Sequence, residues 1–202
     1  MMSIFAKKNH KQTENNEIII VSGLPRSGTS MLMKMLEAGG LEILTDEIRK
    51  ADMDNPKGYY EFERVKKLET DKEWLFEAKG KVIKAVSMLL KHLPINYHYK
   101  IIFSQRNIQE ILLSQKQMLI RRGEPTDKIS DKELAGIYEK HLCQVRKWLS
   151  CQPGFEVLYV NYNNILTDPH RYCKEINKFL DRDSNVERMA NVIDKSLYRQ
   201  QQ

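Results

Sequence analysis

With 202 residues, 41% of them hydrophobic and 30% charged, the chain has apolar material for one ordinary domain core. Its 9 glycines and 6 prolines exclude collagen-like and low-complexity classes. Lys and Arg outnumber Asp and Glu by 33 to 27, a net charge of +6 that suits an anionic partner.

Residues 1–16 are polar and predict a flexible N-terminal segment, followed over 17–202 by one domain. That lead-in lacks the apolar stretch of a secretory signal, and no apolar run approaches the ~18 residues of a membrane span. A cytoplasmic protein without an integral membrane segment is therefore expected. Glu17–Val21 is a β-branched run of the kind buried on both faces of a parallel sheet. From Thr29 to Ala38 apolar residues recur at helical spacing, and Gly39-Gly40 stops the helix. Asn55-Pro56-Lys57-Gly58 signals a turn, and Glu61–Lys79 predicts a helix. Lys81–Lys84 predicts a strand and Ser87–His92 a helix. The pair repeats with a strand at Tyr99–Ser104 and a helix at Ile108–Arg121. Ser130–Cys151 predicts one long helix, with Ser130 and Glu133 as a capping box. A strand at Phe155–Val160 and helices near Pro169–Leu180 and Ser184–Asp194 complete the chain. This alternation implies an α/β fold, a P-loop-type three-layer sandwich with a central parallel sheet flanked by helices. Ligands of such sheets bind at the strands' carboxyl ends.

The segment between the first strand and the first helix carries chemistry. In Gly23-Leu24-Pro25-Arg26-Ser27-Gly28-Thr29-Ser30 the two glycines have the GxxxxG spacing of a phosphate loop. Glycine lets backbone N–H groups turn inward around an anion, and the helix that follows adds unpaired N–H groups and its positive end. A nucleoside-triphosphatase loop has Lys directly after the second glycine. Here that place is held by Thr29, and the cation comes earlier, at Arg26.

Pro25-Arg26-Ser27-Gly28-Thr29-Ser30 resembles the 5′-phosphosulfate motif of the sulfotransferase family, PxSGT with a basic x. The family's second motif is a strand ending in Arg with a Ser eight residues later. Lys100–Ser104, Arg106 and Ser114 are similar to it. Tyr162–Pro169 with Phe179-Leu180 resembles the family's structural YxxLxxxP…FL stretch. The resemblance implies a sulfotransferase moving a sulfuryl group from 3′-phosphoadenosine 5′-phosphosulfate (PAPS) to a hydroxyl or amine, in line and without a metal. Ser27, Gly28, Thr29 and Ser30 would bind the 5′ end, and Arg26 would stabilise the charge that develops there. Arg106 and Ser114 would grip the 3′-phosphate, Lys84 would contact the sulfonate, and Arg199 would supply a cation where this chain lacks the family's glycine-rich lid. For the general base, the KTH histidine of small-molecule members is absent from Lys84-Ala85-Val86. Glu47, in Asp46-Glu47-Ile48-Arg49, is similar to the glutamate of tyrosylprotein sulfotransferases. Glu61 matches the last position of an NPxGYxE stretch and is the alternative base.

The acceptor, whether small molecule, glycan or lipid, is left undefined by the sequence. Two other readings compete: an inactive nucleotide-binding P-loop protein and an atypical P-loop kinase. A kinase predicts a Mg²⁺-holding carboxylate at a strand end, and none stands out in the sequence. Nucleic acid is not expected as a partner, because no interleaving of aromatic and basic residues accompanies the positive charge. Trp74, Trp148, Met31, Met33 and Met35 fit helix packing, as do Cys143 and Cys151.

Overall fold

The computed structural model describes residues 17–46, 48, 58–126 and 128–193. The N-terminal lead-in 1–16, most of the turn at 55–58, Glu47 and Arg199 lie outside the described residues.

The β-branched run forms strand β1, Ile18–Gly23, with every residue buried. Three further strands, β2 (Val82–Val86), β3 (Tyr99–Gln105) and β4 (Phe155–Asn161), pair with it in the order β2-β1-β3-β4, all parallel. Six α-helices accompany them among the described residues: α1 (Thr29–Ala38), α2 (Ile108–Arg121), α3 (Asp131–Leu149), α4 (Tyr162–Thr167), α5 (Pro169–Leu180) and α6 (Val186–Asn191). The expected three-layer α/β sandwich is what the chain forms. No described helix is long and apolar enough to cross a membrane.

Strand alternation sends successive side chains to opposite layers. Ile18, Ile20, Ile83, Ile101 and Phe103 point to one core with Trp74, Leu75 and Leu149. Ile19, Val21, Val82, Ile102 and Val160 point to the other, with Leu32, Met35 and Leu36 of α1 and Ile176 of α5. Each such side chain removed from water contributes about 1.5–3 kcal/mol. Trp74, Met33 and Met35 are wholly buried and Trp148 packs at the first core's margin, so all four serve packing. Cys143 and Cys151 differ from expectation: both are exposed, and α3 ends before Cys151.

α1 and α2 agree with the sequence in their bounds, and α3 falls within the expected Ser130–Cys151 but ends at Leu149. Ser130 and Glu133 form the reciprocal capping box at the start of α3. Glu61–Lys79 is not an α-helix. It makes two 3₁₀ turns, Glu63–Lys67 and Glu73–Phe76. The reason is local: the Asp71 carboxylate holds Arg64 through Nε and a terminal nitrogen at 2.7 and 2.8 Å, and the Asp71 carbonyl accepts from Trp74 Nε1. These bonds offer the backbone an alternative to the helical ladder. Ser87–His92 is likewise 3₁₀, and the last helix is confined to Val186–Asn191. The short helix α4, absent from the sequence expectation, is capped by Asn161, whose side chain accepts from the amides of Asn163 and Asn164.

Candidate active site

The strand order reverses direction between β1 and β3, and such a switch point opens a crevice at the carboxyl ends of the two strands. The phosphate loop leaves β1 there, and Arg106 leaves β3 beside it. Register pairs Gly23 with Ser104. The Ser104 hydroxyl then donates to the Ser27 carbonyl at 2.7 Å, tying the loop to the neighbouring strand.

Two glycines in the loop are obligatory for different reasons. Gly28 has φ 99°, and a Cβ on it would run into the Tyr162 ring. A Cβ on Gly23 would lie 2.5 Å from Ser27 Oγ and 2.7 Å from the Ser104 carbonyl. Arg26 also sits in the left-handed region, at φ 68°, a conformation costly for a residue with a Cβ. Its Nε donates to Ser114 Oγ at 3.0 Å, and its carbonyl accepts from an Arg106 terminal nitrogen at 3.1 Å. The three residues singled out for the two phosphate ends therefore converge, across 88 residues of chain for Arg26 and Ser114.

Arg106 is itself held. Its Nε pairs with Glu110 Oε2 at 2.8 Å, one helical turn on, with both side chains under 10% exposed. Glu110 Oε1 accepts from Asn163 Nδ2 at 2.8 Å. The guanidinium lies 4.5 Å from the centre of the Tyr162 ring, a cation–π distance. Tyr162 is thus wedged between Arg106 and Gly28. Burial pushes its phenol pKa up, while the positive charges of Arg106 and Arg26 act in the opposite direction. Glu110, Asn163 and Tyr162 were not singled out by sequence reasoning. Glu110 had a signal, the i,i+4 spacing from Arg106. Tyr162 stood first in the Tyr162–Pro169 stretch read as structural, and nothing in that stretch pointed to its contact with Arg106.

Lys84, on β2, reaches the same end from the other side. Its Nζ donates to the Tyr59 carbonyl and lies 3.4 Å from Ser30 Oγ, in the first turn of α1. Two residues beyond Tyr59, the Glu61 carbonyl accepts from Thr45 Oγ1 at 2.7 Å. The Glu61 carboxylate is mostly covered and pairs with Lys66 Nζ at 3.1 Å. Lys84, Ser30 and the 59–61 segment therefore meet at one corner, and Glu61 faces a cation there.

The residues present fit a phosphorylated group. Ser27 is wholly buried and its hydroxyl has no hydrogen-bond partner among the described residues, which is unusual for a buried polar atom. No side chain caps α1, so the positive end of the helix is turned to the loop without a side-chain oxygen over it. Among the described residues no cluster of three His, Cys, Asp or Glu is placed to hold a metal ion.

Comparison with known proteins adds to this geometry. A family model described as "Sulfotransferase domain" matches residues 16–202. Among solved structures, the chain is similar to the sulfotransferase domain of the olefin synthase of Synechococcus PCC 7002. The TM-score is 0.58 at 18% identity, over 98% of this chain and 83% of that one. It is also similar to mouse sulfotransferase SULT7A1 complexed with PAP, with TM-score 0.56 and 21% identity over 91% of this chain and 63% of that one. A third likeness is to a sulfotransferase domain from the curacin biosynthetic pathway, with TM-score 0.52 and 15% identity over 92% of each chain.

Proposed function

The chain belongs to the sulfotransferase family, and on that premise we propose that it moves a sulfuryl group from PAPS to a hydroxyl or amine acceptor by in-line transfer. The observation that carries this reading is the convergence of Arg26, Arg106 and Ser114 at the switch-point crevice, next to a phosphate loop. When bound, PAPS supplies an activated sulfuryl group and a phosphate leaving group.

The chain's own residues have distinct tasks in this proposal. Ser27, Gly28, Thr29 and Ser30 bind the 5′ end through inward amides and hydroxyls. Arg106 and Ser114 bind the 3′-phosphate, and the Glu110 ion pair fixes the plane of the Arg106 guanidinium before ligand arrives. Arg26 reaches from the loop to Ser114, so it lies between the two phosphate ends and balances charge building on the leaving oxygen. Lys84, beside Ser30, contacts the sulfonate. Glu61 and Glu47 are assigned to the acceptor side, where Glu61 with Lys66 sets the charge near Lys84. Arg199 is assigned to the cofactor side, in place of a glycine-rich lid.

The competing kinase reading calls for ATP with Mg²⁺, and an inactive binder calls for nucleotide affinity without turnover. Calorimetry of 3′-phosphoadenosine 5′-phosphate (PAP) against ADP and ATP, without metal, separates them. Selective micromolar binding of PAP, with sulfuryl transfer by the same protein, is the expected result. Preference for ATP removes the PAPS assignment.

A further inference from the structure

At the carboxyl end of β2, Ser87 Oγ and His141 Nε2 lie 2.8 Å apart, joining residues 54 positions apart in the chain. Ser87 is 1% exposed, whereas His141 on α3 is half-buried. The pair stands close to the phosphate loop: Val86, the residue before Ser87, is the register partner of Gly23, the first residue of the loop. Adjacent strands are ~4.8 Å apart, so Ser87 and the imidazole it holds lie at the same end of the sheet as the start of the loop, one strand over.

Three features mark this histidine as more than a satisfied core side chain. Its Nε2 is engaged by Ser87, so the ring is held in one orientation, and Nδ1 makes no hydrogen bond among the described residues. Burial, reinforced by the positive charge of Lys91, lowers its pKa from the ordinary 6.5, so the imidazole is neutral at pH 7. The packing elements are the Ser87–His92 turn, with Lys91 and His92, and α2, with Glu110, Lys116 and Arg121. Of these groups, Lys91 is the one whose charge acts on the imidazole, and Glu110 is bound to Arg106. The neighbourhood is also apolar and open. Val86 and Met88 flank Ser87 at 38% and 60% exposure, and Ile137, one helical turn before His141, is 52% exposed.

Resting on the sulfotransferase reading, we infer that His141, oriented by Ser87, is the base that takes the proton of a hydroxyl carried on an apolar acceptor. The acceptor oxygen bonds to sulfur as the sulfur–oxygen bond to the 5′-phosphate breaks. The electron pair stays on the phosphate oxygen of PAP, and the acceptor's proton passes to Nδ1 of His141 and then to solvent. This assigns to an imidazole the role that the family resemblance implied for Glu47 or Glu61. Glu61 is already engaged with Lys66. Ser87 is a positioning residue, since it acts through the ring.

The test uses the full chain, PAPS and 1-naphthol as the probe acceptor, with PAP binding measured in parallel. His141→Gln is expected to lower kcat about 100-fold or more, the usual range for a lost general base, with PAP affinity unchanged. In the wild type kcat should fall below pH 6.5, and this acid limb should vanish in His141→Gln but persist in Glu61→Gln and Glu47→Gln. Histidine-ring NMR of the PAP-bound protein gives a readout without turnover. Added 1-naphthol should shift the His141 signals, and Ser87→Ala should change the ratio of its tautomers, with Ser87→Thr restoring it. Turnover within about 3-fold of wild type in His141→Gln, or His141 signals unmoved by 1-naphthol, overturns the inference and leaves the cofactor assignment standing. Absence of PAP binding in the wild type overturns both.

Discussion

The two ends of the candidate site are built differently. On the side proposed for the cofactor, the loop, Arg106, Glu110, Tyr162 and Asn163 lock one another through short polar contacts and ring packing. On the acceptor side, Lys84, Glu61 and the Ser87–His141 pair come from separate segments, and open apolar residues surround part of them. The first is a preorganised, positively charged corner of the kind the proposed cofactor's two anionic ends require. The second leaves room for a body whose shape the fold does not dictate.

The sharpest way to break the contrast is Arg106→Ala. It leaves Glu110 buried without its cation, a change that costs about 3–5 kcal/mol. Thermal unfolding should register that loss before any ligand is added, and Glu110→Gln in the same background should recover most of it. Gly28→Ala should follow at about 2–4 kcal/mol, from the Tyr162 overlap and the left-handed backbone. Its PAP affinity should fall together with stability, and an unchanged Kd would mean that the loop is not the phosphate site. At the start of α3, away from the phosphate loop in the chain, Ser130→Ala should remove the capping box at about 1 kcal/mol and leave PAP binding alone. Denaturant melts read that difference directly.

The smallest effect is a pH slope. The folded pKa of His141 is below its ordinary value, so the unfolded chain binds the proton more readily. Stability should therefore decline on acidification through about pH 6.5, and less so in His141→Gln. Parallel curves for the two proteins would mean that the ring is not desolvated.

What was legible in the sequence followed the same division. The loop, β1 and α1 are written in one contiguous stretch, so local spacing was enough to place them. Arg106 and Ser114 were visible through their resemblance to the family's second motif, an Arg at a strand end with a Ser eight residues later. The capping box is a four-residue signal, Ser130 to Glu133, and was read correctly. The contacts of Arg26 with Ser114 and of Ser87 with His141 span 88 and 54 residues, and nothing local announces them. Glu61–Lys79 was misread because its apolar residues, Val65, Leu68, Trp74, Leu75 and Ala78, fit a helical face loosely. The Arg64–Asp71 pair then bends the backbone into separate turns. Tyr162 was read as scaffold. It is scaffold, yet its ring is also the surface against which Gly28 must lie.

The sheet order has a consequence for how the chain is made. β1 is translated first of the four strands but sits inside the sheet, and its second neighbour, β3, starts only at Tyr99. At 5–20 residues per second, Ile18–Gly23 waits about 4–15 s after leaving the ribosome channel before both its edges can pair. During that interval an Ile-Ile-Ile-Val segment with no charge is open to other nascent chains. Yield of the native protein should therefore depend on chaperone supply and on slower, cooler expression more than on the stability of the finished fold.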